Sequence, residues 1–364
     1  MDKIKIALLC NGYGRVMRGA EQFTYQFYNQ MKGNFDIDIY GIGKTNHSIQ
    51  IKSQFRNKFW LPWRNGRAYL ESYYFGKTWY KQMINSKKYY DLIVNNAGLG
   101  GSYWCNKHRK ITGTPFITRA RGGGQEERVS YFFKPNFMVF LTKENEESTK
   151  RFLHKTRTIV IPNAINLDEY GRGKKPSSLI KGLEHPIYLG TSAFVSYKRN
   201  DLIIRAVSKL NHGSLLLLGD GPLKESTLNL GKKLLGHRFR YGGMIPHSDR
   251  NKIINLYKNA DVFIQAARKE AFGVVFLEAM ASNLPVVTQN DKRRKKIIND
   301  AGILVNCEDT DLFASSLLQA SERDWGDIPL NQARKYDWKL IKRSYQELLE
   351  AVANETKGKE TFHK

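Results

Sequence analysis

The sequence predicts an α/β protein with two doubly wound domains, each a parallel sheet with helices on both faces. Three observations support this fold class. The chain has 364 residues, which suits two domains of about 150 residues better than one core. Short Val/Ile/Leu runs alternate with longer amphipathic segments, the pattern of buried parallel strands joined by helices. The alternation pauses at a polar, Gly/Lys/Pro-rich stretch, residues 168–186, and then resumes.

Apolar runs mark the expected strands in both halves. In the first half they cover residues 4–11, 35–42, 91–96, 115–120, 137–142 and 158–164. In the second half they cover residues 186–192, 214–222, 238–244, 261–267, 284–290 and 302–306. The predicted organisation is a first domain (1–165), a second domain (166–336), an amphipathic C-terminal helix (337–353) and a flexible tail (354–364).

Composition limits the class of protein. Hydrophobic residues make up 41% and aromatic residues 12% of the chain, which is enough for globular cores. No apolar run approaches the ~18 residues that a membrane span needs. Residues 1–14 are typical of a first strand and a glycine turn, not of a signal peptide, so we expect a cytoplasmic protein. Cys10, Cys105 and Cys307 are widely spaced and predict reduced thiols without a disulfide framework.

The charge is strongly positive and uneven. The formal net charge is +25, and residues 1–165 carry 27 Lys/Arg against 11 Asp/Glu. Such a field attracts phosphates on nucleic acid, on membrane lipid or on a small substrate, and charge alone does not choose among them.

Two carboxylates stand in the neutral stretch 269–287, on either side of a Phe-Gly. Glu270 lies in the loop after a predicted strand, and Gly273 opens a helix that contains Glu278. Backbone N–H groups around Phe272–Val275 could bind an anion, and Glu278 lies about 7–8 Å along the helix axis from Gly273. Two hydroxyl-binding carboxylates beside an anion site suit a nucleoside diphosphate sugar. The alternative is a surface glutamate and an ordinary helical glutamate.

This stretch resembles a known family. "EAFGVVFLEAMASNLPVV", residues 270–287, is similar to the signature of the retaining glycosyltransferases of family 4, which have the GT-B fold: two Rossmann-like domains facing a cleft. Other landmarks of the family occur in order at residues 18–22, 160–170, 192–207 and 215–225. The resemblance is dense over residues 158–318 and thin in most of the first domain.

The resemblance implies roles for residues of the second domain. Glu270 and Lys198 are the expected catalytic residues. The expected donor-binding residues are Arg199, Phe272, Gly273, Val274, Glu278 and, from the first domain, Gly19. Many family members carry a Gly-Arg pair where this chain has Gly190-Thr191, and Arg199 is the candidate replacement for that arginine. The C-terminal helix is expected to pack on the first domain, as in the family.

The first domain offers candidates for the acceptor side. Gly19 lies in the glycine-rich stretch 12–22, where Arg15 and Arg18 add charge. Arg119 and Arg121 lie in "TRARGGGQEE", residues 118–127, where relatives often carry a histidine. We expect Arg18, Arg119 and Arg121 to recognise phosphate or acid on the acceptor. A turn and a flexible loop with exposed arginines are the alternatives.

No metal and no cofactor are expected. Asp36 and Asp38 form an Asp-x-Asp within a strand, and Asp309 and Asp311 form another in a turn, where Asp309 is predicted to cap a helix. The family generally neutralises the leaving diphosphate with lysine, arginine and a helix dipole.

Residues 52–88 are basic and aromatic, with nine Lys/Arg and one acid, Glu71. Trp60, Trp63 and Trp79 are interleaved with tyrosines. Such a composition favours an anionic membrane surface and indicates peripheral attachment to the inner face of the cell membrane. A packed aromatic core with a solvated basic rim is the alternative. No nucleic-acid partner is expected, because no nucleic-acid-binding motif is present.

The sequence therefore predicts a metal-independent, hexosyltransferase-type retaining glycosyltransferase of polysaccharide biosynthesis. It would move a sugar from a nucleoside diphosphate sugar to a hydroxyl of a glycan or lipid-linked glycan at the cytoplasmic membrane face. The rival hypotheses are a sugar-nucleotide epimerase or hydrolase of the same fold, and a basic membrane- or nucleic-acid-binding protein with a decayed site.

Overall fold

The structure, a computed structural model, describes residues 3–15, 19–53, 66–120, 129–150, 156–171, 177–245 and 249–360. The chain divides into two compact units. The first unit comprises Met1–Asn163 with Lys339–Lys364, and the second comprises Ala164–Trp338.

The described part of the first unit contains a seven-stranded parallel sheet of order β3-β2-β1-β4-β5-β6-β7. Its strands are β1 (Lys5–Leu9), β2 (Asp36–Gly41), β3 (Ser48–Gln50), β4 (Leu92–Asn95), β5 (Phe116–Arg119), β6 (Phe137–Phe140) and β7 (Arg157–Val160). Strand β3 was not expected, because its three residues, Ser-Ile-Gln, form no apolar run.

The helices of the first unit are amphipathic. Those described ahead of the second unit are α1 (Gly19–Met31), α2 (Gly66–Ser86), α3 (Leu99–Thr112) and α4 (Lys143–Lys150). In α2, Phe75, Trp79 and Met83 are four residues apart and therefore share one face. All three are buried in the core of the first unit.

The described part of the second unit contains a six-stranded parallel sheet of order β10-β9-β8-β11-β12-β13. Its strands are β8 (Ile187–Thr191), β9 (Ser214–Leu218), β10 (Phe239–Gly243), β11 (Val262–Gln265), β12 (Val286–Gln289) and β13 (Gly302–Val305). Every residue of β8, β9 and β11 is buried, as expected for a parallel sheet with helices on both faces. The strand order is that of a Rossmann fold, as in the first unit.

The helices of the second unit connect these strands. They are α5 (Asn200–Ser208), α6 (Lys224–Leu235), α7 (Arg250–Asn259), α8 (Val274–Ala281), α9 (Lys292–Ile298), α10 (Thr310–Glu322) and α11 (Ile328–Arg334). The winding direction reverses between β8 and β11, which are adjacent in the sheet. In open parallel sheets, ligands bind at the carboxyl ends of the strands at such a switch point.

The last helix, α12 (Trp338–Glu360), belongs from Lys339 onward to the first unit. Its Tyr345 ring lies 5.6 Å from the Phe23 ring and 5.3 Å from the Phe27 ring of α1, centroid to centroid. Glu355 accepts a hydrogen bond of 2.6 Å from Arg157 in β7. The C-terminal helix therefore belongs to the first unit, although it follows the second unit in the sequence. Among the described helices, none is long and apolar enough to cross a bilayer.

Candidate active site at the switch point of the second unit

The switch point of the second sheet brings together the residues on which the sequence hypothesis depends. The chain leaves β8 and reaches Lys198 after a short loop, while β11 leads into the loop 266–270, which ends at Glu270. The Lys198 Nζ lies 2.6 Å from Glu270 Oε2. Two residues 72 positions apart in the sequence are therefore in direct contact at the edge where the fold places ligands.

The Lys198–Glu270 ion pair is largely buried. Only 14% of the lysine side chain and 17% of the glutamate side chain are exposed, so solvent screens the pair less than it would at the surface. The second carboxylate oxygen, Oε1, accepts from the backbone N–H of Ala271 at 3.1 Å. The Gln265 side chain donates to Oε2 at 3.4 Å. The carboxylate is therefore held at a fixed position with its charge neutralised by a cation.

Helix α8 begins four residues after Glu270, at Val274. Gly273 has φ +83°, and a Cβ there would lie 2.3 Å from the Phe276 ring, so this position requires glycine. The first helical residues, Val274 and Val275, have N–H groups for which the helix provides no acceptor. Phe272 is buried and packs edge-on against Tyr336, with centroids 5.8 Å apart. The turn thus directs backbone donors and the positive helix end to the side of Glu270.

Glu278 lies further along α8 in a buried polar network. Its side chain accepts from the Tyr257 hydroxyl at 3.1 Å and from Arg250 Nη1 at 3.3 Å. Burial, and then the neighbouring Glu278 carboxylate, raise the pKa of the Tyr257 hydroxyl well above its usual value, so this group stays protonated and donates. Arg250 also donates to Glu169 and to the Tyr170 hydroxyl. The carboxylate is therefore oriented by residues of α7 and of the segment before β8.

Arg250 is a site residue that the sequence interpretation missed. It is the first residue of α7, and a lone arginine at the start of a polar helix looks like a solvated charge. No sequence signal distinguished it.

Arg199 is placed differently from the prediction. It has φ +52° and is buried. Its guanidinium donates to Ala266 O at 2.7 Å, to Glu308 Oε1 at 2.6 Å and to Gln289 Oε1 at 2.8 Å. Three of the five guanidinium N–H groups are thus used by protein acceptors. These contacts favour a structural role for Arg199 over the predicted replacement of the missing phosphate-binding arginine.

Two further arginines support the loop 266–270. Arg294 is 1% exposed and donates from Nη2 to Ala267 O at 2.7 Å, and it pairs with Asp291. Its neighbour Arg293 donates from Nη1 to Glu270 O at 3.3 Å. With Arg199, three guanidinium groups therefore donate to backbone carbonyls of the loop that carries Glu270. In the sequence, the run "KRRKK" at 292–296 gave no sign of this role.

In the first unit, Arg119 also takes a buried position. It is 4% exposed, and its guanidinium donates to Asn96 Oδ1 at 3.5 Å and to Asn163 Oδ1. It also donates to the Tyr345 hydroxyl at 3.4 Å, and its guanidinium carbon lies 3.5 Å from the centre of the Phe23 ring. These contacts tie α1, β5 and α12 together and favour a structural role over the predicted acceptor-side role.

For the other predicted substrate-binding residues of the first unit, the structure gives few or no contacts. Gly19 is the first residue of α1, and a Cβ there would meet no atom within 4 Å. Arg15 pairs with Glu71 of α2, with Nη2 and Oε2 3.0 Å apart. Arg18 and Arg121 lie outside the described residues.

The two Asp-x-Asp motifs make structural contacts. Asp38 accepts from Lys88 Nζ and from the Tyr90 hydroxyl, each at 2.6 Å. Asp309 accepts from the N–H groups of Asp311 and Leu312 at the start of α10, which confirms its predicted capping role. In the part of the chain that the structure describes, no group of three or more His, Cys, Asp or Glu is placed to hold a metal ion.

The sequence of the second unit matches one protein family over residues 172–337. That family is described as "Glycosyl transferases group 1". The match is limited to this segment, so residues 172–337 are similar to the glycosyl transferases group 1. The group 1 segment contains Lys198, Glu270 and Glu278, so the family match and the buried ion pair occur in the same unit. The family resemblance stated from the sequence is confirmed.

Comparisons with individual proteins agree with the group 1 assignment. The O-antigen chain mannosyltransferase B of Escherichia coli is 33% identical over 104 residues, which are 27% of this chain and 26% of that protein. Among the most similar curated relatives, the matches span between 26% and 58% of the relative's length.

Two solved structures show the fold over nearly the whole chain. The sucrose-phosphate synthase of Thermosynechococcus elongatus has a TM-score of 0.78 at 17% identity, covering 96% of this chain and 100% of that chain. Anabaena HepE, solved with UDP and glucose, has a TM-score of 0.72 at 16% identity with the same coverage. At such identities the likeness concerns the fold alone. The predicted fold class, GT-B with two Rossmann-like domains, is confirmed.

Proposed function

We propose that this protein is a retaining glycosyltransferase that moves a sugar from a nucleoside diphosphate sugar to a hydroxyl acceptor. The observation that carries the proposal is the buried Lys198–Glu270 ion pair at the switch point of the group 1 segment, next to the start of α8. A cation and a fixed carboxylate beside free backbone donors match a ligand that has both phosphates and sugar hydroxyls.

Each part of the donor has a partner of suitable chemistry. Lys198 and the N–H groups of Val274 and Val275 would bind the diphosphate, because a point charge and a helix N-terminus both stabilise phosphate oxygens. Glu270 would accept from hydroxyls of the transferred sugar. Glu278, oriented by Arg250 and Tyr257, would accept from the ribose. When the donor binds, Lys198 would exchange its carboxylate partner for phosphate oxygens, and Glu270 would exchange the ammonium for hydroxyls.

The proposed reaction breaks the bond between the anomeric carbon and the diphosphate oxygen, and the bonding electrons leave with the diphosphate. Lys198 would stabilise the charge that develops there, which is the electrostatic term that usually contributes most to catalysis. The acceptor hydroxyl would attack from the same side and transfer its proton to the departing phosphate oxygen. The anomeric configuration would be retained without an enzyme nucleophile.

For the acceptor, we propose a glycan or a lipid-linked glycan at the cytoplasmic face of a membrane. The name of one group 1 relative, an O-antigen chain mannosyltransferase, supports a polysaccharide. The excess of positive charge in residues 1–165 supports an anionic surface or acceptor.

The membrane part of this proposal depends on residues 52–88. Within this stretch α2 buries Phe75 and Trp79 but leaves Tyr69 and Tyr74 exposed, so the described part supplies both core aromatic residues and surface tyrosines. Trp60 and Trp63 lie outside the described residues. The exposed side chains of Lys81 and Lys87 remain as contacts for an anionic lipid. Binding to anionic but not to neutral vesicles, lost at high salt, would support attachment, and binding to neither would remove it.

The rival activities differ in what they need and produce. A hydrolase releases diphosphate without an acceptor, and an epimerase changes the sugar without releasing diphosphate. A decayed site would release nothing, and the intact Lys198–Glu270 pair argues against decay.

The test is a diphosphate-release assay with UDP-, GDP- and ADP-linked sugars, with and without a membrane-lipid and polysaccharide extract, followed by NMR of the product. We expect release that requires the extract and a product with the anomeric configuration of the donor. Release that is equally fast without any acceptor, or a product of inverted configuration, would contradict the proposal. The assay starts with UDP because the HepE structure contains UDP.

Variants of Glu270 and Glu278 distinguish the role in turnover from the role in donor binding. Glu270→Ala should mainly lower turnover, whereas Glu278→Gln should mainly weaken donor binding. Glutamine is chosen at 278 because alanine would leave the buried Arg250 without a hydrogen-bond partner there. Near-wild-type kinetics in both variants would reject the site assignment.

A further inference from the structure

Arg293 is a half-buried cation whose charge has no carboxylate partner in the described part of the chain. Its guanidinium donates from Nη1 to the carbonyl oxygen of Glu270 at 3.3 Å. Three neighbouring cations are paired with acids: Lys198 with Glu270, Arg199 with Glu308, and Arg294 with Asp291. Among these four cations, Arg293 is therefore the one whose charge is available to a ligand.

The position of Arg293 is set by the sheet. It is the second residue of α9, which follows β12, and β12 is the neighbour of β11 in the sheet. The carboxyl ends of β11 and β12 lie at the same edge, so Arg293 approaches the loop 266–270 from the β12 side. The Glu270 carbonyl takes one of its five N–H groups, and the planar guanidinium can still bind an oxyanion through two parallel hydrogen bonds.

A leaving diphosphate carries more negative charge than one lysine balances, even after Lys198 has exchanged Glu270 for phosphate oxygens. The chain has Thr191, not a basic residue, directly after Gly190, and Arg199 is committed to protein acceptors. We propose that Arg293 supplies the second positive charge and binds an oxyanion of the donor beside Glu270. This inference rests on the proposed function.

Two sources of such an oxyanion are consistent with this geometry. One is the diphosphate, and the other is an acidic group on the transferred sugar, such as a uronate. Both present the same chemistry to a guanidinium, and the experiment is designed to distinguish them.

The comparison uses Arg293→Gln with Lys295→Gln as a matched control. Both variants remove one positive charge from α9, but the Lys295 side chain is exposed and makes no hydrogen bond with the described residues. Circular dichroism and thermal melting establish that both variants are folded. Isothermal titration then measures the binding of UDP, GDP and ADP, of the three monophosphates, and of UDP-glucose against UDP-glucuronate.

We expect Arg293→Gln to weaken binding of the favoured diphosphate by about tenfold and to leave the monophosphate unaffected. Lys295→Gln should change neither. If diphosphate binding is unchanged but a preference for UDP-glucuronate over UDP-glucose is lost, Arg293 binds an acidic group of the sugar, which also supports the inference. Equal behaviour of Arg293→Gln, Lys295→Gln and wild type toward every ligand would overturn the inference alone. A wild-type protein that binds no diphosphate would overturn the proposed function together with it.

Discussion

The two units have the same strand order over their first six strands, yet the carboxyl ends of their strands carry different chemistry. In the second unit, the loops after β8 and β11 present Lys198 and Glu270, which pair with each other. In the first unit, β4 and β5 end in Asn95 and Arg119, which are buried and bonded within their own unit.

Asn96 illustrates the difference. It follows β4 directly, and its side-chain amide donates to Ala20 O at 2.9 Å and to Thr24 Oγ1 at 3.0 Å of α1. The polar residue at the strand end thus fastens a helix to the sheet. In both units the doubly wound topology forms an edge at the carboxyl ends of the strands, where ligands bind in such folds. The side chains at that edge determine whether it binds a ligand or stabilises the fold.

The largest expected effect is a loss of turnover when Lys198, at the strand ends of the second unit, is replaced. Lys198→Met should lower turnover by about 10²- to 10³-fold, the usual loss when one preorganised electrostatic donor is removed. The matched control is Lys209→Met, because Lys209 also has Nζ 2.6 Å from a carboxylate, that of Asp311, but in an exposed pair. Steady-state kinetics of the two variants provide the measurement. Equal rates in both would remove Lys198 from the mechanism.

The second prediction tests whether Arg119, at the strand ends of the first unit, stabilises the fold. Arg119→Met should destabilise the protein by about 2–4 kcal/mol, because it leaves the buried side chains of Asn96 and Asn163 without a donor. Nucleotide affinity should stay the same. Urea unfolding and nucleotide titration on the same variant provide the measurements. A variant of normal stability with a raised acceptor KM would instead restore the acceptor-side role first predicted for Arg119.

A third prediction concerns the pH dependence of stability and a buried histidine of the first unit, His108. Burial lowers the pKa of His108 to about 4, and the side chain lies on α3 between the Trp79 ring and Thr112. As the pH falls below about 6.5, the unfolded chain takes up this proton before the folded protein does, so stability is lost between about pH 6.5 and pH 4.

At pH 5 the loss due to His108 should be about 2 kcal/mol relative to pH 8. Urea unfolding of wild type and His108→Gln at the two pH values isolates this contribution, because the variant lacks the titrating group. A pH dependence that is identical in the two proteins would show that His108 is not the cause.

The smallest expected effect is at the surface of the first unit. Arg15→Gln breaks the ion pair with Glu71, in which the arginine side chain is 43% exposed. Exposed pairs contribute at most about 1 kcal/mol, so both stability and turnover should stay close to wild type. A clear fall in turnover, checked in the same kinetic assay, would instead assign Arg15 to the substrate.

Most of the fold could be predicted from the sequence because its physical cause is local. Continuous apolar runs identified the buried strands, and among the described strands only β3, which has no such run, was missed. Gly273 and Glu278 could be placed on a helix because a glycine and a spacing are visible in the sequence. The placement of Lys198 and Glu270 in one donor site followed from the family resemblance and from the rule that ligands bind at strand ends, but their direct contact was not predicted.

The arginines show where sequence interpretation fails. Arg119 and Arg199 lie near strand ends and were assigned to substrates, but the structure gives their guanidinium groups to buried protein acceptors. Arg250 and Arg293 looked like solvated charges and instead contact the two glutamates. The residue type is the same in all four cases, and the partner that decides the role comes from a distant part of the chain.

The most direct measurement of the central claim is a thermal-shift titration of wild type and Glu278→Gln with UDP, GDP and ADP. A diphosphate at 100 times its dissociation constant should stabilise the protein by about 2.7 kcal/mol. We expect one of the three to raise the melting temperature of wild type, and Glu278→Gln to require a higher concentration for the same rise. No rise with any diphosphate, or the same concentration dependence in both proteins, would contradict the placement of the donor at this site.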